Sequence, residues 1–260
     1  MALTYGTIWG TYGDEKVETS AQFQPLGTRM VLQDGRIFYY AKNSSAAVTD
    51  AGFVVDGIAL VGAHDTDVAA TEAHSVGDNT ISIEVPTTDL TKDQYKEGYL
   101  VFNDGPAQGQ VYKIASHPAH DASEDNTVII TLDEKLRTAL TTSSLCGLVY
   151  NPYTDVKLTD GDGTMTTGPL GVTQIPLTAS YYCWLQTYGL SSVRMGAQVV
   201  VLGDGIMVSQ QSDEQGLIER ADHSDESDLQ TIGTAMGVVG TTGGTLVAGD
   251  TTLVMLTIRA

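Results

Sequence analysis

Short runs in which apolar and polar residues alternate dominate the chain. Ile81, Ile83 and Val85 alternate with polar residues, which is the period of a strand with one buried face. Asp34-Gly35 separates two further runs, and this pair is typical of a hairpin turn because glycine accepts a positive φ. The pattern predicts strands at residues 28–32, 37–41, 53–62, 80–85, 99–102, 110–115, 127–132, 180–187, 198–202, 206–209, 232–239 and 252–258.

Short strands separated by glycine turns are typical of an all-β fold, here an antiparallel β-sandwich or barrel-like arrangement. Only residues 133–140 have a helical pattern, and they are too short for the crossover helix of a parallel nucleotide-binding sheet. The stretch 151–169, rich in Thr, Gly and Asp, predicts a boundary between two small β-lobes. We expect an N-terminal arm at 1–25, lobe one at 26–155 and lobe two at 156–260; alternatively, lobe two packs with 26–62 as one discontinuous domain.

The first 25 residues carry four aromatic side chains with no sustained period: Tyr5, Trp9, Tyr12 and Phe23. A solvated tail rarely holds that many aromatic residues. We therefore expect an arm that packs on a neighbouring molecule, the alternative being a short strand folded back on its own domain.

The charge balance limits the possible partners. The chain of 260 residues has 32 acidic and 13 basic residues, a formal net charge of −19. Few cations are available to neutralise phosphates, so a nucleic-acid partner is not expected. The start of the chain lacks the features of a signal peptide, and no apolar run is long enough to span a bilayer. We expect no membrane partner and synthesis in a cytosol.

Acidic residues are most concentrated at 213–228, where the sequence holds a single arginine. Like charges at this density repel one another, so we interpret the segment as a solvated, exposed loop. A partner with a basic patch is the alternative. Cys146 and Cys183 lie in apolar, strand-like contexts and are interpreted as reduced core residues, with one structural disulfide as the alternative.

Two segments contain candidate metal ligands. His117 and His120 are three residues apart, but Pro118 between them favours an extended or turned backbone, and no third ligand is evident. Asp160 and Asp162 resemble the start of a calcium loop whose sixth and twelfth positions lack the required Gly and Glu. We expect no metal at either place, although a loose surface cation site at the aspartates remains open.

Signs of catalysis are weak. The sequence has no Gly-x-Ser-x-Gly motif, and neither cysteine has a base nearby in sequence. The glycine-rich stretches 203–205 and 240–244 are followed by predicted strands, so they are hairpin turns and not phosphate-binding loops. The sequence predicts neither an enzyme nor a cofactor, and no carboxylate pair for glycoside hydrolysis is singled out.

Between about residue 25 and the end of the chain, four groups of segments carry motifs whose order and spacing match those of a known family. They are residues 26–29 with 34–42; 98–105 with 109–114 and 116–118; 151–153 with 171–173 and 181–189; and 232–235 with 254–258. Together they resemble a family of proteins encoded beside the major capsid gene in tailed bacteriophages. The shared motifs are mainly turns and core strands.

The resemblance implies a capsid decoration, or cement, protein that binds the outer surface of the phage head and stabilises it without catalysis. It further implies the major capsid protein as partner, a homotrimer and a location on the virion. In that role we expect the capsid contacts to come from Tyr5, Trp9, Tyr12 and Phe23, because aromatic residues anchor interfaces. Arg29 and Arg36 are expected to pair with capsid carboxylates, with an intramolecular ion pair as the alternative.

Two other functions remain open at this point. A head-fibre or tail-spike protein would bind host glycans, and Trp9, Trp184 and the tyrosines would stack on the sugars. A glycan hydrolase would need a deep cleft holding two carboxylates at catalytic separation.

Overall fold

The computed structural model describes residues 6–85, 87–161, 165–198, 200–221, 230–239 and 249–259. Over these residues the chain is all-β, with no α-helix and two sheets, as the sequence predicts. The strands are β1 (Thr7–Trp9), β2 (Arg29–Val31), β3 (Ile37–Lys42), β4 (Val54–Asp56), β5 (Val68–Ala69), β6 (Thr80–Glu84), β7 (Tyr99–Asp104), β8 (Val111–Ser116), β9 (Thr127–Leu132), β10 (Leu145–Val149), β11 (Lys157–Leu158), β12 (Gly171–Thr173), β13 (Tyr182–Arg194), β14 (Gly205–Val208), β15 (Ile218–Arg220), β16 (Gly233–Val239) and β17 (Thr251–Thr257). A 3-10 helical turn covers Asp14–Lys16.

The chain divides into two compact units at positions that differ from the predicted boundaries. Unit 1 comprises Met1–Ile58 with Pro152–Ala260, and unit 2 comprises Ala59–Asn151. The segment before Ile58 belongs with the C-terminal half because β3 pairs with β13 in antiparallel register. This division differs from the predicted lobes at 26–155 and 156–260, and unit 1 is close to the alternative in which the C-terminal lobe packs with 26–62 as one discontinuous domain.

The N-terminal segment does not form a separate arm in its described part. β1 pairs in parallel with β2, and Thr19 exchanges backbone hydrogen bonds with Tyr182 at 2.8 and 3.0 Å. Glu15, in the 3-10 turn, is buried. Because these contacts are local to unit 1, residues 6–25 fold back on their own unit, which was the alternative interpretation. Tyr5 lies outside the described residues.

The sheet of unit 1 has the order β1-β2-β3-β13-β17-β16-β14-β15, and β12, β4 and β11 branch from the first half of β13. One core cluster lies at the β3 end and includes Phe38, Tyr40 and Trp184. A second lies beneath the later strands. Met195 bridges Ile218, so β15 returns to the end of β13 and these strands curl around the second cluster.

Unit 2 is a nearly closed antiparallel barrel. Its strand order is β5-β10-β7-β8-β9-β6, and a bridge between Ala70 and Ile83 links the two ends of that order. Leu100, Phe102 and Ile130 fill the interior. Closure satisfies backbone groups that open edge strands would expose.

Residues 133–140, predicted as helical, form turns. Leu136 donates its backbone N–H to the carbonyl of Asp78, and Leu140 forms an antiparallel bridge with His74. These long-range bonds bury both leucines without a helix. The predicted strand at 198–202 is likewise absent from residues 200–202.

Cys146 and Cys183 are free and buried, as the sequence predicts. Burial in apolar surroundings raises the pKa of each thiol to about 12. Both cysteines are therefore protonated core residues at neutral pH.

Candidate functional site

Residues 188–191 of strand β13 show an inverted alternation of large and small side chains. Tyr188 and Leu190 are 38% and 45% exposed, whereas Ser191 is buried. Gly189 is also buried. In most half-buried strands the large apolar residues face the core. Here they face solvent, which is typical of an interaction surface.

The same side of the sheet continues from β13 to the N-terminal strand. Trp9 lies opposite Val31, Val31 opposite Ile37, and Ile37 opposite Tyr188 across a register shift in β13. Side chains that are opposite in a ladder share one face of the sheet. Trp9 is 79% exposed, whereas Ile37 is buried between its neighbours. We call the solvent-facing part of this side the outer face; it carries Trp9, Arg29, Val31, Tyr39, Tyr188, Leu190 and Met255. Ala41 and Leu185, on the same side of β3 and β13, lie in the core and mark its limit.

An open surface cavity of about 590 Å³ lies on the outer face. The β2–β3 turn forms one wall, and Tyr188, Leu190 and Met255 line the rest. Arg36 contributes to the wall, but its guanidinium group is paired with Asp34 at 2.7 Å and with Glu15 at 3.7 Å. The cavity is therefore apolar with a neutralised polar rim.

The ion pair with Arg36 also keeps the Asp34 carboxylate, in the β2–β3 turn, ionised. Burial opposes ionisation of Asp34, but hydrogen bonds from the Arg36 side chain and backbone outweigh it, so the pKa of Asp34 is lowered. Arg36 thus takes the intramolecular role that the sequence left open as the alternative. It is not available for a capsid carboxylate in this arrangement.

A pair of tyrosines lies beside Arg29 on the outer face. Arg29 is opposite Tyr39 in the β2–β3 ladder, and the ring of Tyr39 stacks on that of Tyr153, with centroids 5.4 Å apart and planes 2° from parallel. Arg259 lies on the same pair, its Cζ 5.7 Å from the Tyr153 ring centroid and its Nη1 donating to the Tyr153 hydroxyl at 3.3 Å.

The predicted contact residues that the structure describes do not all lie on one surface. Trp9 and Arg29 share the outer face, and Tyr12, 62% exposed, lies in the turn that follows β1. Phe23 packs edge-on against Tyr40, with centroids 4.9 Å apart. Tyr40 projects from β3 on the side opposite to its neighbour Tyr39, so Phe23 lies away from the outer face.

The candidate metal-binding histidines are engaged in the protein interior. His117 accepts the backbone N–H of Tyr95 at Nε2 (3.0 Å) and donates from Nδ1 to the carbonyl of Pro118 (2.8 Å). His120 donates from Nε2 to the carbonyl of Val85 at 2.9 Å. Within the described residues, no three His, Cys, Asp or Glu side chains are grouped so that they could hold a metal.

The candidate cation site at the aspartates is only partly described. Asp160 forms an ion pair with Lys157 at 3.0 Å, and Asp162 lies outside the described residues. The Asp160 carboxylate thus already has a cationic partner.

The interpretation of 213–228 as a solvated loop is wrong for its described part, which ends at residue 221. β15 pairs with β14 and carries Ile218 into the core. Glu214 and Glu219 are buried, and Ser209 donates its hydroxyl to Glu214 at 2.6 Å. The backbone N–H of Ala197 donates to the other Glu214 oxygen at 2.6 Å. Buried hydrogen-bond donors therefore offset the carboxylate charge.

Trp184 is unsuited to stacking on a sugar. It is buried in the core of unit 1, where its ring centroid lies 4.9 Å from that of Tyr40. Of the two tryptophans, only Trp9 presents its ring to solvent.

Sequence reasoning did not single out four residues of the outer face as contacts, nor the neighbouring Tyr153 and Arg259; the four are Tyr39, Tyr188, Leu190 and Met255. One signal was available in the stretch Tyr188-Gly189-Leu190-Ser191, where large residues alternate with small ones. Which of the two sets faces solvent depends on the register with β3 and β17.

No helix of the described residues has the length and apolar character needed to cross a membrane. Comparison with known proteins finds no matching family model, no similar curated protein and no similar solved structure.

Proposed function

We propose that this chain is a structural protein that decorates the outer surface of a tailed-bacteriophage head, binds the major capsid protein and stabilises the capsid without catalysis. The role comes from the family resemblance, and it includes a homotrimer located on the virion. The structural observation that supports it is the outer face, where Trp9, Tyr188 and Leu190 are held in solvent by paired strands.

Rigid strands make these side chains effective anchors. Contiguous apolar groups at the surface of a soluble protein commonly mark interaction sites, and aromatic residues dominate interface energetics. Because the strands already fix the backbone, binding costs little conformational entropy. Contacts repeated over many capsid subunits add avidity, and the net charge of −19 keeps decorated particles apart.

The test is a pelleting assay with empty expanded capsids. Wild-type protein is expected to bind saturably, at about one copy per capsid subunit if every subunit offers one site. Leu190→Glu places a charge on the outer face and is expected to weaken binding by about tenfold or more. The matched control is Ile129→Glu in β9 of unit 2, where Ile129 is 52% exposed, and it is expected to bind as wild type does.

Each result bears on a separate part of the proposal. Wild-type protein that stays in the supernatant at micromolar concentration would remove the decoration role. Wild-type binding that Leu190→Glu leaves unchanged, with both variants folded by circular dichroism, would place the contact away from the outer face.

A host-glycan-binding head-fibre or tail-spike protein is the second candidate. The exposed ring of Trp9 favours it, because a free tryptophan face can stack on a sugar. Failure to pellet with capsids, together with saccharide binding that Trp9→Ala abolishes, would select this function.

A further inference from the structure

Among the described residues of unit 1, three arginines have no carboxylate within ion-pair distance: Arg29, Arg220 and Arg259. Arg29 and Arg259 are connected through one pair of tyrosines. Acidic residues outnumber basic ones 32 to 13, yet no carboxylate of the described residues lies within ion-pair distance of Arg29 or Arg259. Other cations of the unit do form ion pairs: Lys16, Arg36, Lys42, Lys157 and Arg194.

The connection runs through Tyr39 and Tyr153. Arg29 is the ladder partner of Tyr39, Tyr39 stacks on Tyr153, and Arg259 contacts the ring and hydroxyl of Tyr153. The backbone of Arg259 is fixed there, because its carbonyl accepts the hydroxyl of Thr187 at 2.8 Å. The Arg259 guanidinium group therefore contacts the buried Tyr153, and Arg29 projects from the sheet on the same side as Tyr39, which stacks on Tyr153.

This arrangement has the properties of a carboxylate receptor. Arg29 is half-buried, so its side chain has lost part of its contact with water without gaining an acidic partner in the described residues. Arg259 is exposed, but the buried Tyr153 ring shields the side of its guanidinium group that faces the protein, which strengthens a charge-assisted hydrogen bond formed there. The guanidinium fork matches the two oxygens of a carboxylate.

We propose that Arg29 and Arg259, beside the stacked Tyr39 and Tyr153, form a binding site for the carboxylate side chains of an acidic segment of the partner protein. The inference rests on the proposed function for the identity of that partner, the capsid protein. The outer face then combines apolar anchors with a specific polar contact, the usual composition of an interface.

The first test is a calorimetric titration of the full chain that needs no capsid. The probes are two short capped peptides, Glu-Gly-Glu and its neutral counterpart Gln-Gly-Gln. The glutamate peptide is expected to bind wild-type protein about tenfold more tightly than the glutamine peptide. Arg29→Gln and Arg259→Gln should each remove most of that preference, while Arg137→Gln, at an exposed arginine of unit 2, should leave it unchanged.

A lysine variant controls for folding and for simple charge. Arg29→Lys keeps the cation but loses the fork, so it should retain a small part of the preference. Melting temperatures of all variants establish that they fold. Equal binding of both peptides to wild type, or an unchanged preference in Arg29→Gln and Arg259→Gln, would overturn the site. Sulfate that competes as well as the glutamate peptide would reduce it to a general anion site and overturn the acidic-segment assignment.

The source of the carboxylates is tested separately. Peptide preference with no wild-type pelleting on capsids would retain the site and remove the decoration role. Pelleting of the wild-type protein on capsids without a preference for the glutamate peptide would retain the decoration role and remove the carboxylate site. Self-association in sedimentation velocity that the double glutamine variant abolishes would assign the carboxylates to a second copy of this chain and overturn the capsid protein as their source.

Discussion

A single buried carboxylate fixes the loop that precedes β12. Asp56, at the end of β4, has no exposed surface, and its two oxygens accept four hydrogen bonds. The donors are the backbone N–H groups of Gly57 (2.7 Å), Thr166 (2.6 Å) and Thr167 (2.9 Å), and the hydroxyl of Thr167 (2.8 Å). Since four donors converge on one side chain, both oxygens of Asp56 are required.

We expect Asp56→Asn to lower the free energy of unfolding of unit 1 by about 2–4 kcal/mol. With its carbonyl oxygen in the place that accepts three of the bonds, the amide NH2 group would face the backbone N–H of Thr166 and leave it unsatisfied in the interior. Chemical denaturation measures the loss, with Asp133→Asn at an exposed position as the control. A loss below about 1 kcal/mol would mean that the loop finds other acceptors.

At the same scale, the sequence could not separate Arg29 from Arg36. Both flank the Asp34-Gly35 turn and both were plausible contacts. Arg36 is neutralised partly by Glu15, which the folded N-terminal segment brings within 3.7 Å, and this contact depends on tertiary structure. The contact of Arg259 with Tyr153 joins residues 106 positions apart and likewise depends on tertiary structure.

For the strands, the alternation of apolar and polar residues predicted where each strand lies along the chain, but it did not predict which strands pair with one another. The predicted strand at 127–132 coincides with β9, and the predictions at 37–41 and 80–85 lie within one residue of β3 and β6 at each end. β13 continues to Arg194, well past the predicted end at residue 187, because β17 pairs with its second half. Only that pairing determines which of its residues face solvent, so the outer face could not be derived from the sequence.

Strands β10 and β15 show why local patterns failed elsewhere. β10 contains Gly147, at which an added Cβ would lie 1.9 Å from the carbonyl oxygen of Asp65. The glycine that weakens the strand pattern is thus required by close backbone packing. β15 lies within the acidic run, where buried hydrogen bonds to Glu214 and Glu219 override the charge pattern.

Two buried histidines, His64 and His117, make the stability of unit 2 depend on pH. Burial lowers the pKa of His64 and of His117. The Nδ1 of His64 shares a hydrogen bond with the Tyr95 hydroxyl at 2.8 Å, and His117 accepts the Tyr95 backbone N–H. Protonating His117 would place a second N–H against that donor, so the folded state requires the neutral ring.

We expect unit 2 to lose stability as the pH falls below about 6.5, the ordinary pKa of histidine. Above that pH both states are neutral at these rings. Below it the unfolded chain binds protons that the folded unit excludes, at a cost of up to about 1.4 kcal/mol per pH unit for each histidine. Thermal melts between pH 7.5 and 5.5 measure the slope, and His117→Gln should reduce it by removing one of the two groups. An identical slope in that variant would exclude His117 as a source.

For the whole molecule, the decisive feature is that each sheet is contained in one unit. Strands β5–β10 pair only with one another among the described residues, and their side chains fill the barrel interior. Unit 1, by contrast, is assembled from both ends of the chain, because β3 and β4 pair with β13 and β12. The two units should therefore differ in how they tolerate cutting of the chain.

We expect a fragment of residues 59–151 to fold alone and to unfold in one cooperative thermal transition, since its core and its backbone pairing are complete. The full chain should show that transition together with a second one from unit 1, as measured by differential scanning calorimetry. A fragment of residues 152–260 is the contrasting case. Without β3 and β4, the first half of β13 loses its partner and the cluster around Trp184 is opened to water, so this fragment should remain unfolded. A fragment 59–151 that lacks a cooperative transition would show that the barrel depends on unit 1 for its stability.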